Sequence, residues 1–445
     1  MVGPVFHRQS TGGSRGKRAI ACLLGASIAV AAMLPIVGRW LTNPIDQRVV
    51  DLDVYRTAGI AVLRGASVYD FLTEPPQLLP FTYPPFAALL ATPMALLSWP
   101  AAQIVMTLLI FVVLVLVVGY AFRPLIARAG DWSPLAWGVL VALMAYPLPV
   151  YDQFRFGQVD LFLVLLCVAD CATPRTRWPR GVLIGFATAV KLVPGVFLIY
   201  LLITRRREAA TNALLTAAGA TLVSFALLPE DSLDFWWPFH SWHSQGALFD
   251  GDRVGSNFGT ANQAFRGFLL RMYWPDAVTA LVWLIAVAVL AYLGFRFARR
   301  ASLLADSGRL GPADTWSAEI AGVAITGLLA VLLSPVAWIH HLAWIVLVVG
   351  ALAGAGTDRR RVAAAAGAWL FYVLTIPWWG TSHIQPWKSV PEKVLGRIMQ
   401  SSYALGAVAL LFVLGVWLVK RMWRETPADI EDVSQDAAEV GTLAP

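Results

Sequence analysis

The sequence is poor in charged residues and in cysteine. Charged residues make up 14% of the 445 residues, whereas 58% are hydrophobic. A soluble domain of this size does not need so much apolar surface, and long apolar runs recur from one end of the chain to the other. The composition therefore excludes an ordinary soluble protein and predicts a multi-pass helical protein of the cell membrane.

The three cysteines, Cys22, Cys167 and Cys171, lie within or at the ends of apolar stretches. Cys167 and Cys171 are four residues apart and can share a helix face. Because no histidine or further cysteine stands near them in the sequence, we expect buried free thiols and not a metal pair. No linker divides the chain, so residues 19–423 are expected to form one membrane-embedded domain.

The basic residues predict the orientation of the chain. The net charge is +7, and in a membrane protein such an excess collects in short cytoplasmic loops, without implying nucleic acid as a partner. Residues 1–18 are basic and precede an apolar stretch with no clear cleavage site, which predicts a cytoplasmic segment and an uncleaved first helix. Residues 424–445 are acidic and rich in small residues, which predicts a disordered cytoplasmic tail.

Ten apolar segments are predicted to span the membrane. They lie near residues 19–38, 101–122, 133–150, 159–172, 210–228, 278–296, 317–335, 340–356, 362–378 and 398–419. With both termini in the cytoplasm, the basic loops "RPLIAR", "TPRTRWPR" and "TDRRR" fall inside, as the charge bias requires. The loops that then fall outside are those near 39–83, 151–158, 229–277 and 379–397.

Two further stretches break this alternation. "PRGVLIGFATAVKLVPGVFLIYLLITRRR" has basic residues at both ends and carries Lys191 and Pro194 in its middle. A charge in mid-membrane is costly and proline removes a helix hydrogen bond, so we expect a hairpin of two half-helices that turns at "KLVP". "YPPFAALLATPMALLSWP" is expected to dip in from outside. The predicted fold is thus all-α and polytopic, with about 10–12 transmembrane or re-entrant helices.

Polar motifs collect on the predicted outer side, which suggests a site in extracytoplasmic loops. "DVYRTAGIAVLRG" has apolar residues at helical spacing and is expected to form a short helix along the membrane surface. Carboxylate, amide, imidazole, ammonium and guanidinium groups at one face predict a binding site for an anionic, hydroxyl-rich ligand. The candidate residues are Asp51, Asp53, Tyr83, Gln158, Asp160, Lys191, Asn262, Gln263, Arg266, His340 and His341.

Each candidate also has a purely structural explanation. The two aspartates could be solvated charges or helix caps, and "YPPF" could simply bend the chain. Asn262 and Gln263 could satisfy loop backbone groups, and Gln158 and Asp160 could cap a helix that begins near residue 159. These alternatives stay open for each residue taken alone, whereas their convergence favours a functional site.

The adjacent pair His340–His341 follows a proline at the start of an apolar segment. On an α-helix, adjacent side chains point about 100° apart, whereas paired histidine ligands on a helix are typically four residues apart. The spacing therefore argues against a zinc site. A contact of at least one imidazole with a phosphate or a polar substrate is the favoured prediction.

Six motifs in order carry a resemblance to a known family: "DLDVYR", "LPFTYPPFAALL", "FRFGQVDLFLVLLCVADC", "WPRGVLIGFATAVKLVPGVFLIYLL", "NFGTANQAFRG" and "LLSPVAWIHHLAWIV". Over roughly residues 45–380 the chain resembles the polyprenol-phosphate-mannose-dependent glycosyltransferases of family 87, in the GT-C superfamily. It is most similar there to actinobacterial α-(1→2)-mannosyltransferases of phosphatidylinositol mannoside, lipomannan and lipoarabinomannan synthesis. The resemblance implies a GT-C-type fold and a lipid-linked mannan acceptor.

The resemblance also implies site roles and a stereochemical course. A β-linked mannosyl phosphate donor and an α-linked product require inversion. The family's motif makes Asp51 the candidate base, with Asp53 ranked second. The leaving phosphate needs compensating charge, for which Lys191, His340, His341 and Arg266 are candidates. No acidic cluster of ligand spacing demands a metal, so no cofactor is expected.

Other classes of function compete with this interpretation. A related transferase could use a polyprenyl-phosphate pentose such as arabinose. A transporter or lipid flippase would also suit Lys191 in a proline-broken segment. Against transport, the polar groups collect at one face instead of lining a path, and the two halves show no internal repeat. A non-catalytic scaffold would leave the clustered polar groups unexplained.

Overall fold

The computed structural model describes residues 12–44, 48–237 and 258–424, and in these ranges the named secondary-structure elements are all helices. Residues 425–445 of the predicted acidic tail lie outside the described residues, as do residues 1–11 of the predicted cytoplasmic segment. The α-helices are α1 (Gly12–Leu41), α2 (Val50–Arg64), α3 (Pro85–Ala95), α4 (Trp99–Ala121), α5 (Arg123–Arg128), α6 (Ser133–Met144), α7 (Leu148–Phe156), α8 (Asp160–Ala172), α9 (Val182–Val190), α10 (Val196–Ile203), α11 (Arg207–Leu227), α12 (Pro229–Trp236), α13 (Phe265–Leu270), α14 (Asp276–Ala305), α15 (Pro312–Leu332), α16 (Ile345–Ala353), α17 (Arg359–Val373), α18 (Ile376–Trp379), α19 (Val390–Gln400), α20 (Ser402–Phe412) and α21 (Val419–Arg424). A 3₁₀-helix, Ile339–Trp344, leads into α16, and a π-helix, Val413–Leu418, joins α20 to α21.

Within the described residues, six helices are long and apolar enough to cross a membrane: α1, α4, α11, α14, α15 and the continuous segment from α20 to α21. The number rises to eight if each of two bent helix pairs is counted as one span. These pairs are α6–α7, with a bend of 79°, and α17–α18, with a bend of 46°. This confirms the predicted all-α, polytopic membrane fold. Two of the ten predicted spans are too short to cross alone. Helix α8 has 13 residues, about 20 Å of helix against a hydrocarbon core of roughly 30 Å.

The second short span is the segment from the 3₁₀-helix to α16, residues Ile339–Ala353. Sequence hydropathy did not separate it from a full span because all nine residues of α16 are buried and apolar. A helix enclosed by other helices is as hydrophobic as one that faces lipid. The predicted segment therefore has the right position, but it is a short buried helix and not a full membrane span.

The predicted hairpin at Lys191 is present. Helices α9 and α10 are half-helices, and Lys191 between them is extended (φ −149°, ψ 129°). A Cβ added to Gly181 would lie 1.8 Å from the Ala209 carbonyl oxygen, and one added to Gly185 would lie 2.3 Å from that of Ala213. Helix α9 thus runs beside α11 in the same direction, and α10 must return to the end where α9 began. Lys191 lies at the tip of the hairpin.

A partly buried ion pair holds the base of this hairpin. Arg206, just after α10, makes a two-pronged contact with Glu319 on α15, with N–O distances of 2.7 and 2.9 Å. Such fork-shaped pairing fixes geometry as well as charge. Helix α15 lies at the centre of the bundle, because 83% of its apolar 18-residue stretch is buried. The hairpin tip is therefore positioned from a rigid central helix.

The stretch "DVYRTAGIAVLRG" falls in α2, so the predicted short helix is present. Helix α3 has 11 residues, which agrees with the expectation that "YPPFAALLATPMALLSWP" does not span. Helix α2 packs closely on α3, because a Cβ added to Gly59 would lie 2.7 Å from the Ala91 carbonyl oxygen. The placement of α2 along the membrane surface stays a prediction.

Candidate functional site

Eight polar side chains from five separate segments form one connected group, which we call the site cluster. They come from α2, the loop before α3, the turn before α8 with the start of α8, the hairpin tip, and the 3₁₀-helix. Its members are Asp51, Tyr55, Tyr83, Gln158, Asp160, Lys191, His340 and His341. Seven of the eleven sequence candidates are thus brought together.

The start of α2 is fixed by a close backbone contact. Val49 has a left-handed conformation (φ 44°), and its N–H donates to the Arg155 carbonyl oxygen at 3.1 Å. Gly157 turns the chain between α7 and α8 with φ +70°, and a Cβ there would lie 2.8 Å from the Cβ of Leu52. Only glycine permits this approach. Asp51, in the first turn of α2, is thereby held against the turn before α8.

Asp51 is hydrogen-bonded within the cluster and remains partly exposed. The side-chain amide of Gln158 donates to Asp51 Oδ2 at 2.6 Å, and the Tyr55 hydroxyl donates to Gln158 Oε1 at 2.8 Å. Burial raises the pKa of Asp51 to about 6, against the lowering effect of the bond from Gln158. A carboxylate with a pKa near neutrality is suited to accept a proton in catalysis.

Lys191 is a buried cation with three close neighbours. Its Nζ donates to Asp160 Oδ1 at 2.7 Å, lies 2.9 Å from His341 Nε2 and stands 5.3 Å from the Tyr83 ring centroid. Lys191 and Asp160 are 8% and 6% exposed. The Tyr83 hydroxyl also lies 2.9 Å from that of Tyr55, so Tyr83 joins the Lys191 half of the cluster to the Asp51 half.

The hydrogen bonding of His341 leaves two donors facing each other. The backbone N–H of Trp338 donates to His341 Nδ1 at 3.2 Å, so the neutral imidazole carries its proton on Nε2. That nitrogen lies 2.9 Å from the Lys191 ammonium, which is also a donor. An anionic oxygen placed beside this pair accepts from both nitrogens, which favours such a group as the ligand.

The prediction that the two imidazoles diverge is wrong. Their ring centroids are 4.7 Å apart, and His340 Nε2 lies 3.9 Å from Asp160 Oδ2. The cause is local: the pair lies on a 3₁₀-helix that is interrupted at Leu342 (φ −78°, ψ 15°) and not on an α-helix. Donor atoms of Asp160, His340 and His341 lie within 4.8 Å of one another, a set that could hold a metal ion. The Lys191 ammonium already contacts two of these three groups.

The cap alternative applies only in part to Gln158 and not to Asp160. Gln158 Oε1 accepts the Val159 N–H at the start of α8 at 3.4 Å, but it also accepts from Tyr55, and its amide nitrogen donates to Asp51. The Asp160 side chain turns to Lys191. Gln153 Oε1 accepts the Leu161 N–H at 3.3 Å, and Gln153 Nε2 donates to the His340 carbonyl oxygen at 2.8 Å. The sequence analysis missed Gln153, which positions the histidine segment from α7.

Tyr55 is the second residue that the sequence analysis missed. It stands four residues after Asp51 on α2, so the two side chains lie one above the other on the same face of the helix. That spacing was visible in "VDLDVYR" and could have identified Tyr55 once α2 was predicted. Gln153 had no comparable signal, because its partners lie in other segments.

Asn262 and Gln263 belong to the scaffold beside the cluster. Asn262 Oδ1 accepts the N–H groups of Ala264 and Ala337 at 3.1 and 3.2 Å. Gln263 Nε2 donates to the Gln400 carbonyl oxygen at 2.7 Å. Both side chains are fully buried and serve backbone groups, as the structural alternative for them expected. They tie the loop before α13 to the segment that carries the histidines.

Arg266 and Asp53 lie outside the cluster. The Arg266 guanidinium stands 5.6 Å from the ring centroid of Trp283 on α14. Asp53 follows Asp51 by two residues and so points about 200° away from it around α2. Burial raises the pKa of Asp53, while the nearby Arg56 lowers it. The structure therefore separates Asp51 from the second-ranked aspartate by the geometry of one helix.

Comparison with known proteins gives one family. The model described as Glycosyltransferase family 87 matches residues 81–335. The chain is 31% identical to the "Polyprenol-phosphate-mannose-dependent alpha-(1-2)-phosphatidylinositol mannoside mannosyltransferase" of Mycolicibacterium smegmatis, over 92% of each chain. It is 33% identical to the protein of the same description from Mycobacterium tuberculosis, over 92% of this chain and 94% of the relative. No solved structure matches the chain significantly.

Proposed function

The chain belongs to glycosyltransferase family 87, and from this membership we propose that it transfers mannose from polyprenyl-phosphate-mannose to a phosphatidylinositol mannoside or related lipid-linked mannan. The new linkage is α-(1→2) and forms with inversion on the extracytoplasmic face. The observation that carries the proposal is the site cluster. It joins a partly exposed carboxylate with a near-neutral pKa to a buried ammonium–imidazole pair.

In this proposal Asp51 acts at the acceptor. The acceptor hydroxyl oxygen attacks C1 of the mannose, and its proton passes to an Asp51 oxygen as the new bond forms. The bond between C1 and the phosphate oxygen breaks, and the electron pair leaves with the polyprenyl phosphate. Gln158 holds Asp51 through its 2.6 Å hydrogen bond, so the base keeps one orientation.

The phosphate of the donor lies against Lys191 and His341. Both present donors to the same point, and a phosphate oxygen placed there accepts from each. A phosphate leaves as a stabilised anion, so no general acid is needed. Asp160 contributes by holding the Lys191 ammonium, and Gln153 by holding the backbone of His340. Metal-independent transfer is part of the proposal.

The extracytoplasmic face is supported by the charge bias of the loops. The hairpin begins and ends among Arg180, Arg205, Arg206 and Arg207, which the positive-inside rule places in the cytoplasm. Its tip at Lys191 then points towards the outside, where the site cluster lies. A Gln77→Cys variant of a chain that lacks the exposed Cys22 and keeps only the buried Cys167 and Cys171 should react with a membrane-impermeant maleimide in intact cells. Reaction only after the cells are opened would reverse the proposed side.

The experiment that tests the proposal uses the purified chain in detergent. It is supplied with polyprenyl-phosphate-mannose or with a polyprenyl-phosphate pentose, each with a phosphatidylinositol mannoside acceptor, and the products are analysed for linkage. We expect an α-(1→2)-mannosylated product and no pentose transfer. Preferential pentose transfer would identify the rival transferase. Lipid or solute movement in reconstituted vesicles, without any transfer, would identify a transporter.

His341→Ala should weaken use of the donor more than His340→Ala. Loss of one hydrogen bond to a charged phosphate corresponds to a rise of about 10–100-fold in the donor KM. His340 has a smaller expected effect, because its Nε2 faces Asp160 Oδ2 at 3.9 Å, beyond hydrogen-bond distance. Steady-state kinetics with varied donor concentration measures both.

The matched control for the histidine pair is His383→Ala. His383 contacts Ser382 and the Trp379 carbonyl oxygen, away from the site cluster. This variant should retain the wild-type KM for the donor. Wild-type kinetics in both His340→Ala and His341→Ala would remove the imidazoles from the phosphate site.

A further inference from the structure

A cavity of about 430 Å³ lies far from the site cluster, between α14 and the segment that continues from α20 to α21. Both are candidate membrane spans. Arg299 on α14 donates to the carbonyl oxygen of Ile203, the last residue of α10. The cavity is therefore at the hairpin-base end of the bundle, opposite the tip at Lys191. Its volume is within the range of ordinary ligand pockets.

The cavity follows from how the two helices meet. A Cβ added to Gly415 would lie 2.3 Å from Cγ of Phe297, so the helices touch at this point. One turn further along, the same faces carry Arg300 and Val419, which line the cavity. Gly415 is inside the π-helix Val413–Leu418. Single π-helical turns shift the register of the residues that follow and are frequent at functional sites.

The lining combines an apolar wall with two cations. Leu303, Leu304, Val416 and Val419 supply the wall, and Arg300 and Lys420 supply the charge. Leu303 is 46% exposed and Val416 is 43% exposed, so the wall reaches the surface of the bundle. Among the residues that the structure describes, none of those lining the cavity is acidic. A ligand that complements this lining carries an anionic head and a hydrocarbon chain, and the bilayer supplies such molecules.

We propose that this cavity binds one anionic phospholipid of the bilayer. Its phosphate lies between Arg300 and Lys420, and one acyl chain lies along the wall formed by Leu303, Val416 and their neighbours. Basic side chains near the end of a span reach towards the headgroup level while their stems stay in apolar surroundings. The site is independent of sugar transfer, so its test does not depend on the proposed function.

The experiment measures lipid retention by the full-length chain in detergent. Phosphatidylglycerol or phosphatidylcholine is titrated onto the purified protein, and bound lipid is counted by native mass spectrometry. We expect the wild-type chain to retain phosphatidylglycerol preferentially. The double variant Arg300→Gln/Lys420→Gln should bind it about 30-fold more weakly, since each cation near a lipid phosphate contributes about fivefold.

Two further variants separate the cavity from surface charge in general. Val416→Trp fills the cavity and keeps both cations, and it should also lose the lipid. Arg359→Gln/Arg360→Gln removes two exposed charges from the start of α17. The ion pair between Asp358, just before α17, and Arg421 on α21 places these two arginines at the same end of the molecule as the cavity. This control should bind phosphatidylglycerol within about twofold of the wild type.

Three results would overturn the proposal. Equal losses in the two charge variants would mean that surface charge alone attracts the lipid. Equal retention of phosphatidylcholine and phosphatidylglycerol would mean that the cations do not recognise the headgroup. Phosphatidylglycerol binding that appears only after residues 425–445 are removed would identify the acidic C-terminal segment as the occupant.

Discussion

Asp51→Asn should fold normally and lower the turnover number about 10²–10⁴-fold, the usual range for loss of a general base. Asparagine keeps the size of the side chain and can still pair with Gln158, so little packing is lost. It cannot accept the proton of the acceptor hydroxyl. Transfer of radiolabelled mannose by the purified variant, measured at saturating donor, gives the turnover number directly.

The pH dependence provides a second readout of the same group. The pKa of Asp51 is about 6, so the carboxylate is ionised above that pH and protonated below it. The ratio kcat/KM of the wild type should therefore fall about tenfold per pH unit below pH 6. The residual activity of Asp51→Asn should lack this acid limb. A limb that persists in the variant would have another origin.

Asp53→Asn is the matched control for this variant. It makes the same chemical change two residues along α2, on a face that points away from the site cluster. Its turnover should stay within a few-fold of the wild type. Near-normal transfer by Asp51→Asn would remove Asp51 from the mechanism, and a large loss in Asp53→Asn alone would move the base to the other aspartate.

Lys191→Met should abolish measurable transfer and destabilise the fold by about 3–5 kcal/mol, the range for breaking a buried ion pair. Methionine has a similar length but no charge, so Asp160 is left buried with no cation at 2.7 Å. Transfer fails because the donor phosphate loses its main counter-charge. The midpoint of thermal unfolding in detergent and the transfer rate are measured on the same sample.

Stability and catalysis are separated by the double variant Lys191→Met/Asp160→Asn. Removing the uncompensated carboxylate should recover much of the lost stability, because the cost lies in the unpaired charge. Transfer should remain absent, since no cation faces the phosphate. A double variant that is stable and active would exclude Lys191 from donor binding.

A surface lysine provides the control for the loss of a cation. Lys388 pairs with Glu392 at 2.9 Å, but the two side chains are 33% and 42% exposed. Lys388→Met should shift stability by about 1 kcal/mol or less. It should leave transfer unchanged. An equal destabilisation by Lys388→Met and Lys191→Met would contradict the assignment of the larger effect to burial.

The sequence determined the membrane class, the positions of the apolar helices and the hairpin at Lys191. These features follow from composition and local pattern. Apolar runs indicate burial in lipid or protein, and a charged residue close to a proline indicates a break in a helix. The same pattern could not distinguish a full span from a short buried helix. Helix α8 and the Ile339–Ala353 segment were predicted as spans for this reason.

The partners within the site were decided only by the tertiary structure. Gln158 lies 107 residues from Asp51, and His341 lies 150 residues from Lys191, so no local spacing predicts either bond. The two histidines converge because their backbone is a 3₁₀-helix, held in place through Gln153 and Asn262. Local sequence decides which residues are polar and near the surface. Contacts between distant segments decide which of those residues meet, because they depend on how the whole bundle packs.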